Sequence, residues 1–364
     1  MRWDALRLDD GGEETLAAAG VVPLIERRAV TRTFDTPGFR GMTFYEVQAR
    51  SIVNRVPKSS QMMFKWTINP YRGCQHACVY CFARNTHTYL DMDAGMDFNT
   101  RVVVKVNAVE LLHRKLASPR WQGEHIAMGT NVDCYQRAEG RYRLMPGIIS
   151  ALRDAANPFS ILTKGTLITR DTDLLASAAE VTEVGLNVSC GFTDTELWRS
   201  VEPGTPAPQR RLETCAALND RGLACGVLMG PVIPYLSDSP ARLEEIVRQI
   251  AATGAVHVTP IVLHLRPGAR EWYLRWLRWA HPELVARYEE LYGRGSYAPK
   301  AYQERIAGQV RELAASYGIG KPRRGRRSGA SRSRTSAARA AGSGDLPPPA
   351  APRAGRPNEQ LTLL

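Results

Sequence analysis

Three of the seven cysteines in this chain fall within one short stretch, Thr67-Ile-Asn-Pro-Tyr-Arg-Gly-Cys74-Gln-His-Ala-Cys78-Val-Tyr80-Cys81-Phe-Ala-Arg84. Their spacing is C-x3-C-x2-C. Thiolates are soft ligands suited to iron–sulfur clusters, and a loop carrying three of them can wrap one corner of a cubane. A structural zinc or a closed [4Fe–4S] cluster normally takes four protein ligands, so three would leave one iron open to a small molecule. The alternative is that Cys74 and Cys78 are buried thiols on one helical face. Asn69, Pro70, Gly73, Gln75 and His76 are turn and polar residues and speak against a core helix.

Such a loop needs a scaffold. From about residue 60 a pattern of strand, loop and helix repeats. Strands are predicted at 65–69, 125–129, 159–163, 184–189, 224–230 and 257–264, with helices at 108–117, 146–155, 171–179, 208–219 and 240–252 between them. Two more helices, at 282–292 and 299–317, would close or cap the domain. Apolar strands alternating with helices imply parallel βα units, with ligands at the carboxyl ends of the strands. The loop after the second strand, Met128-Gly-Thr-Asn-Val-Asp133-Cys134-Tyr-Gln136-Arg-Ala-Glu139, begins with small and polar residues that let backbone approach a cofactor. Lys164 ends an apolar strand, where a compact point charge suits a carboxylate; the alternative is a surface lysine with its stem laid along apolar neighbours. Ser189 ends the fourth strand, as a hydroxyl donor or as an ordinary buried serine.

The cysteine stretch resembles the signature of the radical S-adenosylmethionine superfamily, C-x3-C-x-aromatic-C, with Tyr80 as the aromatic residue. The resemblance implies a [4Fe–4S] cluster on Cys74, Cys78 and Cys81, whose fourth iron chelates the amino and carboxylate groups of S-adenosylmethionine. One-electron reduction, by a donor of the flavodoxin or ferredoxin type, then releases a 5′-deoxyadenosyl radical that abstracts hydrogen from a substrate. The implied fold is α/β, a partial (β/α)6 barrel; a full eight-unit barrel would need more chain. The implied cofactor-binding residues are Tyr80, Gly129 and Thr130 (these two beside the methionyl amino group), and Lys164 and Ser189 at the carboxylate.

Further segments narrow the resemblance. Asn69-Pro-Tyr-Arg-Gly-Cys74, Asp133-Cys-Tyr-Gln-Arg-Ala-Glu139, Thr163-Lys-Gly165, Arg170-Asp-Thr-Asp-Leu-Leu175, Val201-Glu-Pro-Gly-Thr-Pro206, Arg211-Leu212 and Pro231-Val-Ile-Pro234 look like the branch containing spore photoproduct lyase. The similarity covers about residues 60–317, and in it Glu202-Pro203 and Arg211 belong to the fourth unit. One departure matters. The lyase uses a cysteine as hydrogen donor shortly before the aspartate of the second loop, where Thr130 stands here. Either Cys134 takes that catalytic role by a shift, or the chain does different chemistry; neighbouring residues on an extended segment point in opposite directions, which favours the second. Cys190, Cys215 and Cys225 are isolated and read as small buried hydrophobes.

With 364 residues, 44% of them apolar, the chain can bury one large core. An odd cysteine count with a clustered triplet points to a reducing compartment, the cytoplasm. The most apolar run, 223–236, holds Pro231 and Pro234 and is too short to span a bilayer, and the N-terminus does not read as a signal peptide. The net charge of +12 is unevenly placed: ten Lys/Arg against two acids from Ile319 onward carry most of it, leaving the folded part mildly basic.

Three regions follow. Residues 1–59 read as an N-terminal extension packed on the main domain, with a turn at 10–13, a short helix at 14–19 and an edge strand at 30–34. Residues 60–317 are the core with its capping helices. Trp272, Trp276 and Trp279 share one helical face there, as a packing stripe or a stacking platform for bases. Residues 318–364, rich in Gly, Ser, Ala, Arg and Pro, read as a disordered tail whose Arg323–Arg327 cluster holds nucleic acid non-specifically or serves as a spacer. Its last residues, Gln360-Leu361-Thr-Leu363-Leu364, resemble the peptide by which proteins dock on the bacterial sliding clamp. The leading expectation is a radical enzyme acting on DNA lesions. The alternatives are the same chemistry on RNA, protein or a small molecule, and a non-catalytic iron–sulfur redox sensor tethered to DNA.

Overall fold

The computed structural model describes residues 29–57, 62–293 and 295–320. In chain order the strands are β1 (Val30–Thr33), β2 (Thr43–Val47), β3 (Val53–Arg55), β4 (Trp66–Ile68), β5 (Tyr71–Arg72), β6 (Arg101–Lys105), β7 (Ile126–Met128), β8 (Phe159–Thr163), β9 (Val184–Ser189), β10 (Cys225–Val232) and β11 (Val258–Val262). The main sheet has the order β11-β10-β9-β8-β7-β4-β3. Its strands from β4 to β11 are parallel, and β3 adds an antiparallel edge against β4. The fold is therefore the expected α/β arrangement, with six parallel strands in sequential order.

The pattern that builds it is visible residue by residue. In β8, Phe159, Ile161 and Thr163 are buried while Ser160 and Leu162 are only partly so, the alternation of a strand with one face turned more fully into the core. The connecting helices bury one stripe each. In Pro240–Ala252 that stripe is Leu243, Ile246, Val247 and Ile250, and the helix starts where Ser239 Oγ accepts the Arg242 N–H, with Pro240 in the first turn. The helix Pro208–Asp220 likewise opens on proline.

A second sheet, β1-β2-β6-β5, was not foreseen. It joins residues before the cysteine loop to Tyr71–Arg72 within it and to a strand just after it. Its signal lay in Arg101-Val-Val-Val-Lys105, a β-branched run now buried from Val102 onward. The predicted edge strand over 30–34 does form, exposed along its length and antiparallel to β2.

After β11, Lys300–Ser316 packs against β11 and the helix Pro240–Ala252, while Ala269–Ala280 lies against Phe82–Thr86 of the cysteine loop and is followed by Val285–Tyr292. Tyrosine hydroxyls pin them: Tyr273 donates to Tyr288 (2.9 Å), Tyr288 to the Pro234 carbonyl (2.7 Å) and Tyr292 to the Leu263 carbonyl (2.6 Å). The tryptophan stripe divides. Trp276 is buried and donates to Ser200 Oγ (2.9 Å), Trp272 lies over the Arg84 guanidinium, and Trp279 is exposed. Among the described residues no helix is long and apolar enough to cross a membrane. The predicted turn at 10–13, the helix at 14–19, the arginine cluster and Gln360, Leu361, Leu363 and Leu364 lie outside the described residues.

Candidate active site

The cysteine loop begins as β4 ends and is held from several directions. Cys74 N donates to Phe98 O (2.9 Å), Val79 N to Val201 O (3.0 Å) and Gly204 N to His76 O (3.1 Å). Gln136, from the loop after β7, closes a reciprocal pair: its Oε1 accepts Gln75 N (3.1 Å) and its Nε2 donates to Gly73 O (3.0 Å). Gly204 approaches so closely that a Cβ there would stand 1.9 Å from Gln75 O.

Arg84, three residues after the last cysteine, is fully buried. Its guanidinium donates to the carbonyls of Cys78 (2.9 Å), Gly95 (2.9 Å), Ala94 (3.1 Å) and Ala77 (3.3 Å) and to Asn99 Oδ1 (2.9 Å). Phe98 and Trp272 lie against it, with ring centroids 5.2 and 4.8 Å from the guanidinium carbon. One side chain thus ties the loop's backbone into a fixed shape. Nothing in the sequence marks this arginine as internal; it is legible only once the chain has folded back over it.

The loop faces a cavity walled by all the carboxyl ends of the parallel strands. Cys74, Cys78, Tyr80 and Cys81 line it together with Gly129 and Thr130 after β7, Lys164 after β8, Ser189 at the end of β9, Gly230 in β10 and His264 after β11. Its non-atom space, the solvent-open mouth included, is about 870 Å³. Gly129 has φ 78°, and a Cβ there would meet Leu162 O at 1.8 Å, so only glycine brings this backbone to the cavity edge. The structure therefore places Tyr80, Gly129, Thr130, Lys164 and Ser189 around one space with the three thiols.

Lys164 Nζ donates to Ser189 Oγ (2.9 Å) and lies 5.8 Å from the Tyr80 ring centroid. Among the described residues it has no carboxylate partner within salt-bridge distance, so its ammonium can take an anionic ligand group. Behind it, Tyr80 OH donates to Glu202, Glu202 pairs with Arg211, and Arg211 Nη1 donates to Ser189 O (3.0 Å). Glu202 and Arg211 are fully buried. Burial alone would raise the Glu202 carboxyl, but Arg211, Lys164 and the Tyr80 hydroxyl bring it below its ordinary value. The pair fixes a tyrosine and a serine that both line the cavity.

Asp133 is the anchor of the other wall. It accepts from Thr163 Oγ1 (2.6 Å), Lys164 N (2.7 Å) and Tyr135 N (2.9 Å), and lies 3.3 Å from His76 Nδ1. Burial works to raise its pKa, yet His76 and these donors carry it down to about 2. Asp133 lines the cavity and Cys134 does not: the thiol expected as a candidate hydrogen donor is fully buried in the core. The physical reason is a turn: Tyr135 N donates to Asp133 Oδ1 (2.9 Å) and Gln136 N to Asp133 O (3.4 Å), and within this bend the Cys134 side chain is buried in the core while Asp133 meets Thr163 and Lys164. Cys190, Cys215 and Cys225 are buried as well.

The thiols themselves fit a cluster. All three are free. Burial pushes each one up, Cys78 to about 12 with Glu202 adding to the effect; Asp133 adds at Cys74, and Arg84 opposes at Cys81. Neutral thiols in such a place become thiolates when a soft cation takes their charge. Among the described residues no group of three His, Cys, Asp or Glu side chains is set to hold a single metal ion. Three free thiols lining one cavity are the soft donor set that a cluster takes.

The model of the radical SAM superfamily matches residues 68–259, and the chain belongs to that superfamily. It is an enzyme of the radical SAM class, whose members use a [4Fe–4S] cluster and S-adenosylmethionine and require an external reductant. An uncharacterized protein of Mycobacterium tuberculosis is 50% identical over 298 residues, 82% of this chain and 88% of that one. An uncharacterized protein of Methanocaldococcus jannaschii is 32% identical over 174 residues, 48% of this chain and 62% of that one. Among solved structures, spore photoproduct lyase complexed with dinucleoside spore photoproduct aligns over 76% of this chain and 80% of its own, with TM-score 0.55 and 15% identity. That likeness is one of fold.

Proposed function

We propose that Cys74, Cys78 and Cys81 hold a [4Fe–4S] cluster, that Lys164 and Ser189 receive the carboxylate of S-adenosylmethionine, and that the chain abstracts hydrogen from a lesion in DNA. The observation that carries this reading is the shared cavity: three thiols line it together with an ammonium that has no carboxylate within salt-bridge distance among the described residues. Bound together, the two cofactors supply a 5′-deoxyadenosyl radical. The chain's own residues do the rest. Gly129 brings backbone to the cavity edge beside Thr130, Lys164 and Ser189 orient an anionic group, and Glu202 with Arg211 keeps Tyr80 and Ser189 in place. Phe82 and His264 line the same space and lie with ring centroids 5.5 Å apart, an aromatic lining that helps keep water from a reactive intermediate.

The fold likeness to spore photoproduct lyase and the arginine-rich tail support a DNA substrate. We further propose that Gln360, Leu361, Leu363 and Leu364 dock the enzyme on the sliding clamp, that a flavodoxin or ferredoxin supplies the electron, and that the chain works in the cytoplasm. A second reading, the same chemistry on RNA, protein or a small molecule, is favoured by one observation. Among the described residues the only cysteines on the cavity wall are the three cluster candidates, so no fourth thiol stands ready to quench a product radical there. Anaerobic reconstitution with dithionite tests the core of the proposal. 5′-Deoxyadenosine should form in the native chain and be lost in Cys81→Ala; persistence in the variant would reject the ligand set. Conversion of spore photoproduct in ultraviolet-damaged DNA separates the two substrate readings, and deleting residues 358–364 should abolish retention on the clamp.

A further inference from the structure

The four-stranded sheet carries a feature that the cavity does not use. Arg72 on β5 is opposite Val103 on β6, which puts Lys105 two residues further along β6 on the same face. Diagonal neighbours of this kind are within reach of long side chains. Lys105 is only 6% exposed, at the edge of a small apolar cluster formed by Tyr45, Val47, Leu90, Met92 and Val103. Arg72 is half-buried beside it. Among the described residues neither head group has a hydrogen-bond or carboxylate partner. The acids nearby are otherwise engaged: Asp97 pairs with Arg101 (2.9 Å), and Asp93 accepts Gly95 N (2.5 Å) and Asp97 N (3.1 Å). His87, also fully buried, has its Nε2 against Arg101 O (2.8 Å) and its Nδ1 without a partner. Burial and the adjacent guanidinium together push Lys105 down to about 8.

Two adjacent cations on a largely buried face, with no counter-ion among the described residues, are costly, and an anion reaching their head groups would offset that cost. We infer that Arg72 and Lys105 form a binding site for a phosphate group on the outer face of this sheet, next to the cysteine loop. The chemistry of the pair selects the anion. A carboxylate brings one negative charge and two oxygens in a single plane, less than two cations call for. A tetrahedral phosphate accepts from the fork and from the ammonium at once. The phosphate is either free or part of a polynucleotide backbone. The site is independent of what the cavity holds.

Thermal unfolding of the full chain tests this, with inorganic phosphate added at constant ionic strength against chloride. Phosphate raises the Tm of the native chain, and Lys105→Met abolishes the rise. Without phosphate, Lys105→Met has the higher Tm, because it removes an uncompensated charge. Lys105→Gln, neutral and polar, gives the same comparison should the methionine variant misfold. An equal phosphate effect in native chain and variant, or a lower Tm of Lys105→Met without phosphate, overturns the site. Labelled single-stranded oligonucleotide identifies the source. A tenfold loss of its affinity in Lys105→Met assigns the site to a polynucleotide backbone, and unchanged affinity alongside the lost phosphate effect assigns it to free phosphate. The arginine cluster at 323–327 is common to all these proteins and cancels.

Discussion

Two arginines flank the candidate active site, both fully buried and both holding a wall of it, yet their environments differ in kind. Arg211 has a carboxylate, Glu202, and although burial lowers its affinity for a proton, that partner raises it above the ordinary guanidinium value. Arg84 has only carbonyls, an amide oxygen and two aromatic faces, and burial lowers it to about 10. The charges that favour its cationic form are chiefly those of Cys81, Cys78 and Cys74. One guanidinium therefore has its counter-charge within the protein, although its Nε has no hydrogen-bond partner. The other awaits the thiolates, so its electrostatic setting becomes favourable when the cysteines bind metal.

That contrast can be broken in graded steps. Arg211→Met should have the largest effect, about 3–5 kcal/mol of lost stability in urea unfolding, because it leaves Glu202 buried and uncompensated. Adding Glu202→Gln to the same chain should restore part of the loss; no restoration would mean that the pair acts only through packing. Arg84→Met comes next. It orphans acceptors rather than a charge, at about 1–3 kcal/mol in the same assay, and iron bound after reconstitution should fall because the loop carbonyls of Ala77 and Cys78 lose their common donor.

Acid sharpens the comparison further. Glu202 is held below its ordinary value, so its contribution is present above the unfolded carboxylate pKa near 4.5 and is lost as pH falls through the lower folded value. The double variant Arg211→Met/Glu202→Gln should therefore show a flatter acid limb below pH 4.5 than the native chain, whereas Arg84→Met should keep the native limb. The smallest change is expected for Trp272→Leu. Removing the ring over Arg84 should cost about 1–2 kcal/mol, seen as a modest drop in Tm with the Glu202 limb intact.

Much of the scaffold was legible because its rules are local. Strands at 159–163 and 184–189 and the helix Pro240–Ala252 lie where apolar period, proline and serine caps place them. The second sheet was not, since β5 is two residues long and pairs with a strand nearly thirty positions later. In the candidate site, the three cysteines, Lys164 and Ser189 could be named from spacing and strand ends. Arg84, His76 and Phe82 stood in the quoted stretch with no role at the site attached, and His264 ended a predicted strand; their surroundings depend on elements from elsewhere in the chain. Cys134 illustrates the limit most clearly. Its type suited a donor, and the turn that begins at Asp133 buries it away from the cavity wall.

Residue type and spacing determined that this protein carries three soft ligands on a polar loop, at the head of a series of βα units. Those are properties of a short segment and of hydrophobic period, and no distant contact is needed to see them. Only the tertiary structure decided which charges are answered and which are not. Arg211 meets Glu202, Lys164 meets a hydroxyl, and Arg84, Arg72 and Lys105 meet no carboxylate at all among the described residues. The reason is physical: the free energy of a buried charge is set by the atoms that replace its water, and those atoms come from parts of the chain far away in sequence.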